Sequence, residues 1–282
     1  MTTLARENKA SSATLLRPNP VLRRLSKAGD RAVTGAATYT GIASKTCFFL
    51  ALTMLGMIAQ LLVASAFANA PVWQSFTFYG KFTVDLTLTE TVIAGAVLLG
   101  GFAAEMLGIF VRKTVPVTGS LYAASQGYVI SFLVFKVLQG YEYLGLEALL
   151  LTAAVIGVMS WLYVSGKLRP TEKFNTILMT LVIGSILLAL FSFICSLIPV
   201  TRPFIQAMRA NFGLCVALDL IGIVIASLFL ISDFGEIDRC VKGGYPKSTE
   251  WYAAFGLAFT VIWLYMKILD LLMRIVSEKN NK

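Results

Sequence analysis

The sequence predicts an all-α membrane protein, a bundle of seven transmembrane helices. Three observations carry that expectation. First, 57% of the 282 residues are hydrophobic and only 14% are charged, against about 45–50% and about 25% in a soluble domain. The mean hydropathy is +0.77, and so much apolar surface has no place in a water-soluble core of this size. Second, the apolar residues come in runs of about 20, the length that crosses a hydrocarbon core of about 30 Å as a helix. Third, the runs are continuously apolar and do not alternate with period two, which argues against a barrel.

The spans follow in order. Residues 46–66 form the first, and 87–111 the second, interrupted by Glu105. The third, 115–135, is uncharged; the fourth covers 147–165 and the fifth 175–198. The sixth, 211–234, carries Asp219 and Asp233, and the seventh, 250–273, carries Lys267 and Asp270. The domain plan is a flexible basic N-terminal tail (1–43), a seven-helix domain (44–274) and a short C-terminal tail (275–282). The longest loops, 67–86 and 235–249, are too short to hide a catalytic domain. Ala66-Phe67-Ala68 resembles a signal-peptidase site, but the run before it is of full spanning length, so a retained helix is expected.

Charge and composition remove whole function classes. The net charge of +9 is split between the tail and short loops, so no folded basic domain exists for nucleic acid. There is no histidine, which excludes Ser/His and Cys/His nucleophile pairs, and an enzyme is not expected. Cys47, Cys195, Cys215 and Cys240 form no CxxC pair; they are expected to be reduced, buried thiols, and no cofactor is expected. No Walker or Rossmann glycine motif is present. Counting Lys and Arg on alternate sides gives 15 inside and 7 outside for an N-terminus-inside orientation, or 8 to 7 without the tail. Trp73, Phe76 and Tyr79 in the first outer loop, and Trp251 and Tyr252 on the seventh span, read as interfacial belts. Gly95, Gly100 and Gly101 give the second helix a small face for close packing.

An ionisable side chain inside a span costs about 2.5–3.5 kcal/mol on insertion scales, so it turns to the bundle interior or to water. Consecutive antiparallel helices rise about 1.5 Å per residue. With the last loop centred near residue 243, residues at equal depth have numbers summing to about 486. That places Asp219 level with Lys267, with Asp270 one turn away, as an outer layer whose Asp219–Lys267 pair is a buried ion pair. An inner layer would join Asp233 to Glu105 and Arg112. Two carboxylates close together in low dielectric raise each other's proton affinity, and a nearby arginine lowers it. Such a layer can gate with pH, and Asp233 and Glu105 could hold calcium, which prefers carboxylate and carbonyl oxygen.

Several stretches, in order, resemble the bacterial branch of the Bax inhibitor/YccA-like family. They are NPVLRRLSKAG from Asn19, ATYTGIASKT, VRKTVPVTGSLYAASQG at 111–127 and LRPTEKF at 168–174. SDFGEIDRCVKGGYPKSTEWYAAFGL at 232–257 and WLYMKILDLL at 263–272 complete the resemblance, which covers 19–273. It implies a seven-helix protein similar to proton-sensitive calcium leak channels, in the bacterial inner membrane. It also implies a proton sensor of two carboxylates on helices six and seven, latched by an arginine from helix two. Asp233 matches the helix-six acid and Arg112, with Lys113 as its rival, the helix-two base. The helix-seven position holds Lys267, with Asp270 one turn on, and Gln126 stands where the third helix would carry a glutamate.

Three function classes therefore stand at this point. The first is a passive, pH-gated leak for calcium or another cation. The second is a non-transporting regulator that binds other membrane proteins. A retinal-type pigment, suggested by seven helices and Lys267, is opposed by Trp263, where such a protein carries a carboxylate.

Overall fold

A computed structural model describes residues 35–79 and 81–279; most of the basic tail lies outside them. Among the described residues the chain forms eight α-helices and one β-hairpin. α1 is Tyr39–Ala66. The hairpin strands are β1, Val72–Phe78, and β2, Phe82–Thr87. α2 is Leu88–Phe110 and α3 is Val115–Ser131. α4 is Tyr143–Val164, α5 Glu172–Leu197 and α6 Arg202–Ala210. The chain ends in two 31-residue helices, α7, Phe212–Lys242, and α8, Thr249–Lys279.

Six of these, α1, α2, α4, α5, α7 and α8, are long and apolar enough to cross a membrane. The third expected span differs: α3 is 17 residues long and then widens into a π-helical turn over Phe132–Val137. The domain boundaries also move outward. α1 starts at Tyr39, inside the expected tail, because Thr38 caps it by accepting from the Gly41 N–H at 3.0 Å. Lys45, just outside the expected first span of 46–66, is carried within the helix by its ion pair with Glu250. α8 continues through Lys279, so residues 275–279 are helix and not tail.

The first outer loop holds the hairpin. Phe82, Val84 and Leu86 of β2 are buried and Thr83 and Asp85 exposed, the alternation of a half-buried strand. β2 runs straight into α2 through a capping box, in which Thr87 and Glu90 satisfy each other's backbone N–H groups.

α3 is the central helix. It packs on α1, α2 and α8, while α8 also lies against α7, α1 and α4. The α1–α3 contact is backbone to backbone. A Cβ on Gly56 would stand 1.9 Å from the Ala124 carbonyl oxygen, and one on Gly127 would stand 1.8 Å from that of Thr53; only glycine allows this approach. On α2, Gly101 meets Ser125 closely, but Gly95 and Gly100 face open space. The expected small face is thus narrower than the sequence suggested. Phe49, Tyr122, Trp251, Phe255 and Phe259 form an aromatic seam through the core. α5 stands at the edge on α6 and α7, with Leu178 its one buried residue.

The two faces of the bundle are distinct. At one, residues 35–38 pair with the α7–α8 connection: the Ala37 N–H donates to the Tyr245 carbonyl at 2.7 Å, and that of Lys247 to Gly35 at 3.0 Å. At the other lie the hairpin, α6 and the end of α8. Both Tyr79, at φ 53° in the hairpin turn, and the nearby Ser277 mark that contact.

Candidate functional site

α7 and α8 carry the acids singled out in the sequence, and their connection sets which groups meet. α7 runs to Lys242 and α8 starts at Thr249, so the loop centre lies beyond residue 243. Residues at equal depth then sum to about 491, so each partner moves by about five residues, more than one turn, from the expected register.

That shift overturns the expected Asp219–Lys267 ion pair. Asp219 accepts from Arg274 Nε at 2.7 Å. Lys267 instead lies over Gly222, its Cδ 3.3 Å from where a Cβ would stand. Around Asp219 and Arg274 a connected polar cluster closes the hairpin face. Tyr79 donates its hydroxyl to Asp270, Arg274 stacks 5.0 Å from the Tyr79 ring centre, and Ser277 donates to the Tyr79 carbonyl at 2.8 Å. Nearby, Lys136 pairs with Glu90 at 2.5 Å.

Asp270 therefore belongs to the hairpin face and not to a dyad with Asp233. Asp233 is level with residue 258, twelve residues or about 18 Å along the helix axis from Asp270. It sits on the opposite half of α7 and faces Gly256 and Thr260 of α8. Its Oδ1 is 3.9 Å from the place of a Gly256 Cβ, and the Thr260 hydroxyl lies within hydrogen-bonding reach. Its Oδ2 is buried and has no hydrogen-bond partner, the one such side-chain atom among the described residues.

The remaining members of the expected inner layer do not join it. Glu105 is half-buried beside Tyr122 of α3, and Tyr122 packs on Phe255 and Phe259. Glu105 and Asp233 thus look at different faces of α8. Arg112 is exposed in the turn after α2, stacks 4.8 Å from the Tyr252 ring centre and makes no ion pair among the described residues. Among the described residues no three His, Cys, Asp or Glu side chains converge. The four cysteines are free thiols, of which Cys215 and Cys240 are buried.

The sequence reading missed the polar knot of the N-terminal face. Glu250 is fully buried, accepts from the Thr38 N–H at 2.9 Å and hydroxyl at 3.2 Å, and pairs with Lys45. Lys45 also sits 5.2 Å from the Trp251 ring centre. Gly41 makes room for this carboxylate, since a Cβ there would come within 2.3 Å of Glu250 Oε1. The Glu90 site did have a signal, the Thr87-Leu88-Thr89-Glu90 capping pattern.

No curated protein matches the chain at a significant level. The match that does extend along it, from residue 19 to 277, takes in the tail's end, the α2–α3 turn, the α7–α8 connection and both buried-acid helices. On that match the chain belongs to the Bax inhibitor 1 like family.

Proposed function

We propose that this protein is a passive, pH-sensitive cation leak that passes calcium, and that it is a conduit and not an enzyme. In this reading it belongs to the bacterial branch of its family and lies in the inner membrane with its N-terminus inside. α3 with its π-helical turn, residues 115–137, makes the seventh crossing.

One observation carries the reading: the Asp233 carboxylate is buried in the bundle with Oδ2 unpartnered. An ionised carboxylate in that setting is costly unless something compensates it. Such an acid carries either a proton or a cation, and exchange of one for the other links ion passage to pH. The α8 surface opposite it is built from Gly256 and Thr260, whose hydroxyl donates to the Gly256 carbonyl at 3.1 Å. Carboxylate, hydroxyl and carbonyl oxygens are the donors calcium prefers. Asp233 is thus the gate in this account. Arg112 is a charge at the mouth and not a latch, and Glu105 and Asp270 have other neighbours.

The test is calcium entry into liposomes carrying the purified protein, at about pH 6 and about pH 8, which bracket the range open to a buried carboxylate. A flux that differs between the two supports the leak. No flux at either pH would end this reading and leave a non-transporting regulator of other membrane proteins in its place.

A further inference from the structure

A second site lies on the N-terminal face, away from the buried acids. The end of α4, the start of α5 and the last turns of α7 enclose a recess of about 780 Å³. Arg169, Arg239 and Lys242 line it, against one lining carboxylate, Asp238. Asp238 is already engaged by Lys242 at 2.5 Å and by the Tyr39 hydroxyl at 2.7 Å. Arg239 shares a 3.3 Å ion pair with Glu236 in which both partners are about half exposed, so the pair is weak and open to exchange. Arg169 makes no ion pair among the described residues, and its guanidinium lies over Gly166.

The other walls are apolar. Val164, 82% exposed, and Pro170 form the apolar side on which the recess opens. The adjacent Lys167 stands 4.5 Å from the ring centre of the exposed Trp161, an arrangement typical of the membrane–water interface. A cationic pocket between the ends of helices long and apolar enough to cross a membrane, with an apolar side at Val164 and Pro170, matches one ligand chemistry.

We propose that this recess binds the phosphate of an anionic phospholipid. Arg169 is the principal contact, since guanidinium offers a planar pair of donors to phosphate oxygens. Arg239 and Lys242 flank it, and an acyl chain runs out over Val164 and Pro170. A soluble phosphate would use the cations but not the apolar exit. The site is independent of the leak: it requires only that the protein lie in a bilayer.

The experiment uses the full chain in an uncharged detergent. Its thermal midpoint is followed during titration with short-chain phosphatidylglycerol, short-chain phosphatidylcholine and inorganic phosphate. Phosphatidylglycerol is expected to raise the midpoint saturably, while the other two do not. Arg169→Gln should weaken the apparent affinity about tenfold, the scale of one lost charge-assisted hydrogen bond. Arg169→Lys should recover part of it. Lys279→Gln, at the other face, should bind as the unaltered protein does. Equal shifts from the two lipids would overturn the proposal. So would an inorganic phosphate shift as large as that of phosphatidylglycerol, or undiminished binding by Arg169→Gln.

Discussion

The acids of the α7–α8 pair are treated in two ways: most are paired, at the N-terminal face as well, where Glu250 holds Lys45 and Asp238 holds Lys242, and Asp233 is not. In the half near the hairpin, Asp219 holds Arg274 at 2.7 Å, Asp270 holds the Tyr79 hydroxyl and Glu90 holds Lys136 at 2.5 Å. In the half near the N-terminal face, Asp233 faces a glycine and a threonine, with Oδ2 unpartnered. Paired acids in low dielectric fasten elements to one another, because removing either partner strands the other charge. An unpaired one fastens nothing and remains free to exchange a proton or an ion. The hairpin half is built for rigidity, and Asp233 is where the same bundle leaves chemistry open.

Substitutions can break that contrast. The largest effect is expected at Arg274. Arg274→Met leaves Asp219 without its cation, a loss of about 3–5 kcal/mol. At about 2–4 °C per kcal/mol, the thermal midpoint in mild detergent should fall by roughly 10 °C. A fall under about 2 °C would mean that water already screens the pair. Asp219→Asn keeps the shape but weakens a charge-assisted bond, and should cost about 1–3 kcal/mol by the same measurement. Asp233→Asn, in contrast, should not lower the midpoint, since no ion-pair partner is lost; a drop as large as that of Asp219→Asn would erase the distinction. Arg112→Gln should cost only about 0.5–1 kcal/mol, the worth of an exposed cation–π contact with Tyr252, and should leave the pH response of calcium flux unaltered. The smallest effect belongs to Lys267. Lacking an ion pair among the described residues, it can become methionine with no loss of midpoint, whereas a fall of several degrees would restore it as a structural charge.

Apolarity made the helices legible, and charge made their ends misleading. The runs at 46–66 and 211–234 were cut at Lys45 and just past Asp233, yet α1 begins at Tyr39 and α7 continues to Lys242. The charges beyond those cuts are carried inside the helices by partners distant in sequence, Lys45 by Glu250 and Asp238 by Tyr39, and a single sequence does not display such pairing. The ion-pair register followed from the same cut. A loop placed about two residues early puts Lys267 opposite Asp219, and a seventh span ended at 273 leaves Arg274 outside the membrane reckoning. The special position of Asp233 was readable as an acid inside a span. Its isolation was not, because isolation depends on which faces of α4, α5 and α8, long helices packed on α7, turn toward it. The hairpin alternation of Phe82, Val84 and Leu86 was visible in the sequence but lay within a stretch taken as loop.

The most direct test of the central claim compares pH dependence, and not flux alone, in two proteins. Calcium entry into liposomes is measured at about pH 6 and about pH 8 for the unaltered chain and for Asp233→Asn, with Asp270→Asn as the paired-acid control. The account predicts that flux depends on pH in the unaltered chain and in Asp270→Asn, and that the dependence disappears in Asp233→Asn. A pH response that survives Asp233→Asn would contradict it and move the sensor to another acid.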